Sequence, residues 1–243
     1  MKEQAPIQGL NKSVSESFNP CPPMQAQKQP RGNKEAQIFA EQVRLLHVNS
    51  FSAISFLILL VGLVTFALWK VVPIQRLLIC NAILATISLA RLFLIKRYLA
   101  SKPNIEESKR WHSYFEAGVA VLSLTWGLGV VFIVPVHSVA HQNILLLILG
   151  GISIGAASSL SPVLRTFFIH ITLLYLPMNI WLLSQGDETH LTMWLLSLLF
   201  TVMPVATAVR ANKTIANSLR LQLENAELVE DLSASNRAKS EFL

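Results

Sequence analysis

Charge is what this sequence has least of. Asp, Glu, Lys and Arg make up 14% of its 243 residues, against 52% apolar. A soluble domain normally carries about a quarter charged residues, so the shortage excludes an ordinary soluble fold and points to a membrane protein. Cysteine is almost missing. Cys21 lies in a polar tail and Cys80 in an apolar run, which excludes a disulfide framework and a thiolate metal site. His47, His112, His137, His141 and His190 fall near the ends of apolar runs; no metal is expected. No Gly-x-x-x-x-Gly-Lys-Ser/Thr loop occurs, and no Gly-rich loop follows a strand, so no nucleotide and no cofactor are expected in this chain. Residues 1–34 lack the apolar core of a secretory signal peptide.

What is present is a series of long apolar runs. Residues 1–34 are rich in Gln, Pro, Ser and Lys and are expected to be a disordered tail, because they cannot bury enough apolar surface. Residues 35–47 alternate Ile38, Phe39, Val43, Leu45 and Leu46 with Glu35, Glu41 and Arg44, the pattern of an amphipathic helix lying on a membrane surface. Six runs near 48–69, 74–95, 114–134, 142–160, 163–183 and 190–209 each approach the roughly 20 residues that cross a bilayer as helix. The fold class expected is therefore an all-α membrane protein, a six-helix transmembrane bundle over 48–209. Residues 210–243 follow as a cytoplasmic coiled-coil helix.

Basic residues set the orientation. Lys28, Arg31, Lys34 and Arg44 precede the first run, Lys96, Arg97, Lys102, Lys109 and Arg110 separate the second and third, and Arg165, Arg210 and Lys213 border the later ones. The alternate connections hold Lys70 and Arg76, then no basic residue, then only Asp187 and Glu188. Positive residues stay inside, which puts both termini in the cytoplasm. Trp69, Trp181 and Trp194 then fall at the outer interface, where amphipathic rings sit. The net charge of +6 thus reads as topology, and no nucleic-acid partner is expected.

Polar and helix-breaking residues inside the runs are the candidate sites. Arg91 and Glu116 lie at one depth in neighbouring runs. They can pair, or Arg91 can snorkel to the interface. His170, two turns into the fifth run, is either bonded to a neighbouring helix or a ligand or proton sensor. Gly151 and Gly155 form a small-xxx-small face that can pack on the third run, with its Gly127 and Gly129, or slide along it. Pro177 and Pro204 remove backbone donors and are expected to kink their helices. Gly151-Ile152-Ser153-Ile154-Gly155 formally matches a nucleophile elbow, but it lies in an apolar helix without an oxyanion-hole element, so no catalytic residue is expected.

Beyond Arg210, Leu221, Asn225, Leu228 and Leu232 recur at spacings of four, three and four, the seam of a coiled coil with Asn225 as the register-setting polar position. A homodimer through this helix is expected. The chain then closes on Ala238-Lys239-Ser240-Glu241-Phe242-Leu243. This string resembles the run-up to the phosphoacceptor histidine of bacterial sensor histidine kinases, at the start of their dimerisation and phosphotransfer domain. The resemblance implies that the chain is truncated just before that histidine. It further implies ATP and Mg for a kinase domain not contained here, and a response regulator as partner.

A second pattern supports an input role. Trp126-Gly127, Pro135, Gln142, Gly150-Gly151, Gly155-Ala156, Leu160-Ser161, Pro177, Gly186-Asp187, His190-Leu191 and Met193 are similar to a membrane region that precedes bacterial histidine kinases, diguanylate cyclases and cyclic-di-GMP phosphodiesterases. The expectation is the sensor and transmission module of a two-component kinase in the bacterial inner membrane. The same region from a cyclic-di-GMP enzyme and a small transporter or channel subunit are the alternatives.

Overall fold

Six helices and, among the described residues, no strand make up the molecule. A computed structural model describes residues 31–101 and 103–241; most of the expected disordered tail, with Cys21, lies outside them, as do Phe242 and Leu243. The helices are α1 (Arg31–Leu68), α2 (Ile74–Ser101), α3 (Ser108–Ile133), α4 (Val139–Ser159), α5 (Leu164–Gln185) and α6 (Glu188–Glu241). Each is long and apolar enough to cross a membrane. The chain is a multi-pass helical membrane protein, with a long C-terminal helix.

The distribution of side chains fits lipid as the outer solvent. Leu59, Phe66 and Leu147 are 71%, 76% and 66% exposed, while Gln142, Ser153, Thr166 and Ser197 are wholly buried. Apolar surface faces out because lipid asks nothing of it, and polar groups turn in to find partners. Buried hydroxyls find them one turn back: Ser123 donates to Val119 O at 2.7 Å and Ser153 to Leu149 O at 2.7 Å. The core runs between α3 and α5, where Val119, Leu122 and Trp126 meet Phe167, Leu174 and Met178.

Short turns reverse the chain, and side chains fasten them. Gln142 Nε2 donates to Pro135 O at 3.1 Å, closing the turn between α3 and α4. Gly186 ends α5 with φ of 73°, a left-handed conformation that disfavours side chains. Asp187 then starts α6, its Oδ1 accepting from the His190 amide at 3.0 Å.

Two helices depart from the sequence reading. Residues 35–47 are not a separate surface helix but the first part of α1, which runs unbroken for 38 residues. Arg31–Lys34, expected in the disordered tail, belong to α1 as well. The reason is a packing partner: α1 contacts α6, and Lys34 Nζ donates to Glu227 at 2.6 Å. At 54 residues, α6 is roughly 80 Å long at 1.5 Å per residue. It passes through Pro204 without ending and leaves the bundle at the end where α1 enters, the rod end.

Candidate functional site

A cavity of about 430 Å³ opens in the rod-end half of the bundle, lined from α1, α2, α3, α4 and α5. Leu57, Leu122, Trp126 and Ile152 give it apolar walls, and Asn49, Ser50, Ser123, Ser158 and Ser159 add polar edges. Two basic side chains, Arg91 and His170, also line it. That combination of apolar walls and a few convergent polar groups is typical of a small-molecule pocket.

Arg91 is not paired with Glu116. Its guanidinium lies over the Phe115 ring, 5.4 Å from the centroid, a cation–π contact. Its stem runs past Gly118, where a Cβ would come within 3.5 Å of Arg91 Cγ. Among the described residues no acidic side chain stands within ion-pair distance of it. Equal depth on neighbouring helices was insufficient to pair the two, because Glu116 has other company. Arg165 Nε, from the start of α5, lies 3.0 Å from Glu116 Oε1, and His112 Nδ1 lies 3.8 Å from Oε2. His112 also hydrogen-bonds Thr166 through Nε2 at 3.0 Å.

His170 is bonded to a neighbouring helix through one nitrogen only. Nδ1 meets Ser123 Oγ at 2.6 Å, while Nε2 has no hydrogen-bond partner among the described residues. Ser153, the formal nucleophile, is buried inside the unbroken α4 and gives its proton to Leu149 O. His170 therefore serves Ser123, and the elbow reading fails on geometry.

Gly151 and Gly155 do not face α3. They are exposed on α4, and a Cβ at either would meet nothing within 4 Å of the described residues. α4 packs instead on α6, α1 and α5. The close approach belongs to Gly127, against α5 at Pro177. Trp126 is buried at the cavity wall, and Pro204 is buried within α6. Leu221, Asn225, Leu228 and Leu232 are all exposed along the rod.

Sequence reasoning missed two features, of which the first ties the cavity to the rod. Asn212 Nδ2, on α6, donates to Ser161 O at 2.8 Å and Pro162 O at 3.0 Å. Those carbonyls belong to the turn that follows the cavity-lining Ser158, Ser159 and Leu160. A second missed cluster gathers at the rod end: His47 stacks on Tyr98 with centroids 3.6 Å apart and packs against Phe115 at 4.7 Å. Asn212 sits in a polar stretch among many side chains able to cap a turn, so nothing in its neighbours marked it.

No family model, no curated protein and no solved structure matches the chain.

Proposed function

We propose that this chain is the membrane input and signal-transmission module of a two-component sensor histidine kinase. It lies in the bacterial inner membrane with both termini cytoplasmic. In this reading the cavity responds to a stimulus, and α6 carries the response to a kinase domain that uses ATP and Mg and hands phosphate to a response regulator. α6 pairs with its copy in a homodimer through Leu221, Asn225, Leu228 and Leu232, whose apolar members are exposed on the single chain.

The observation that carries the reading is the grip of Asn212 on Ser161 and Pro162. A change in the cavity that moves the end of α4 pulls on that turn, and the turn pulls on α6 beyond Pro204. The rod is a continuous helix from there to Glu241, so a tilt or rotation at its base reaches its tip. A stimulus shifts such a device only by binding its two states with different affinity. A transporter has no use for this long helix, and the six-residue string at 238–243 favours the kinase over a cyclic-di-GMP enzyme.

The test is a fusion of residues 1–243 to a cytoplasmic kinase core, with one to four residues inserted near Ser218. Each inserted residue turns the distal rod by about 100°. Autophosphorylation should rise and fall with helical phase. A flat response contradicts the reading.

A further inference from the structure

We infer that the cavity is a binding site for a single-chain amphipathic acid that carries a hydroxyl near its carboxylate and enters from the lipid. This deepens the sensor reading by naming the ligand class. It rests on that reading for the output alone, since binding is measured without a kinase.

Three observations converge. Arg91 brings five N–H donors and no acceptor, held in place by Phe115 and Gly118 and without an acidic partner among the described residues. The acid beside Phe115, Glu116, is committed to Arg165 and His112. A cation inside a membrane-spanning helix calls for a matching anion, and a carboxylate fits the guanidinium fork with two parallel hydrogen bonds.

The second observation is His170, only 8% exposed, with Nε2 unpartnered. The Ser123 proton goes to Val119 O, so the Nδ1 contact to Ser123 Oγ requires the hydrogen to be on Nδ1. In the neutral ring Nε2 is then an acceptor. Nε2 is enclosed in this conformation, so a partner reaches it with a small shift of the ring or the wall; a carboxylate cannot satisfy it, and a hydroxyl can. An acid head at Arg91 and a hydroxyl at His170 are complementary demands on one molecule.

The third is the wall and the mouth. Leu122, Trp126 and Ile152 suit a hydrocarbon body, and about 430 Å³ lies within the range of small-molecule pockets. Phe56, Gly155 and Ser158 line the cavity and are exposed on a bundle whose outer face is lipid-like. A molecule dissolved in the bilayer reaches the site sideways.

The test uses the full chain in phosphatidylcholine nanodiscs and radiolabelled β-hydroxydecanoic acid, with decanoic acid and the methyl ester of the hydroxy acid as competitors. Empty nanodiscs give the partition background. Saturable binding is expected, with the ester and the plain acid each weaker by about tenfold or more. Arg91→Gln should erase the preference for acid over ester, and His170→Leu the preference for the hydroxyl. Gly155→Phe, at a position where a Cβ meets nothing, should block the mouth with Tm unchanged, so a failure to fold does not pass for a failure to bind. Uptake equal to empty nanodiscs, equal affinity for acid and ester, or an Arg91→Gln variant that keeps its preference would each overturn the inference. Saturable binding in a fusion whose autophosphorylation does not change upholds the site and counts against the signalling reading alone.

Discussion

Gly127 of α3 lies directly against the gap that Pro177 leaves in α5. A Cβ on Gly127 would stand 2.7 Å from Leu174 O, 2.8 Å from Leu173 O and 3.0 Å from Pro177 Cγ. Leu173 O is the carbonyl one turn before Pro177, and it loses the amide four residues on that a regular helix would offer it, because proline has none. The missing hydrogen bond and the missing side chain therefore face each other. α3 approaches a backbone that a normal helix would have filled, and the core helices lock there. Small residues allow this closeness in a membrane, where packing and not water drives association.

Gly127→Ala should force the two helices apart, because two of the three clashing atoms are backbone and cannot swing away. The expected loss is about 1–3 kcal/mol, read as a lowered Tm in detergent. Gly151→Ala, on the open face of α4, should be neutral or stabilise by up to about 1 kcal/mol through helix propensity. Equal effects at both positions would contradict the assignment of the close contact to Gly127.

The contrast shows how far the sequence could be read. Six apolar runs of bilayer length were plain, because lipid demands continuous apolar helices, and α1 to α6 contain them. Which face of a helix a glycine occupies was not, since Gly127, Gly151 and Gly155 carry the same local signal and differ only in what the fold brings opposite. Arg91 and Glu116 share a depth, yet the partner of Glu116 comes from Arg165 at a turn. Gly186-Asp187 was visible as part of a spaced pattern. Its physical sense, a helix stop followed by a helix start, needed φ and the His190 amide.

Arg165→Met should leave the Glu116 carboxylate buried beside one histidine. The Glu116 side chain is 12% exposed and that of Arg165 76%, so solvent screens the pair and the cost should be about 1–2 kcal/mol. Adding Glu116→Gln should recover part of the loss, because the unpaired charge is gone. A double-mutant cycle on thermal stability with no coupling would show that the 3.0 Å contact contributes nothing.

Asn212→Ala removes two hydrogen bonds to the α4–α5 turn and should cost about 1–2 kcal/mol. Its larger effect should be local. Amide hydrogen exchange across residues 205–220 of α6 should speed up while α3 and α5 keep their protection. Unchanged exchange there would mean that the turn does not restrain the base of the rod.

Asp187 gives a pH signature. The His190 amide holds its carboxyl below the ordinary carboxylate range, helped by the His190 ring. A depressed value stabilises the folded state above the unfolded pKa, and that gain disappears as pH falls through the folded one. The Tm gap between the native chain and Asp187→Ala should therefore be full at neutral pH and shrink below about pH 4. A gap independent of pH would rule out the charged cap.

Sidedness tests the whole account most directly. Lys34 and Glu227 bridge at 2.6 Å, so the beginning of α1 and the rod of α6 must share one side of the membrane, which the proposal makes the cytoplasm. With Cys21 and Cys80 replaced by serine, Glu35→Cys and Asp231→Cys are labelled separately with a membrane-impermeant maleimide in right-side-out and inverted vesicles. Both should react in inverted vesicles alone. Labelling of either from the outside, or of the two from opposite sides, would contradict a six-crossing bundle that signals inward.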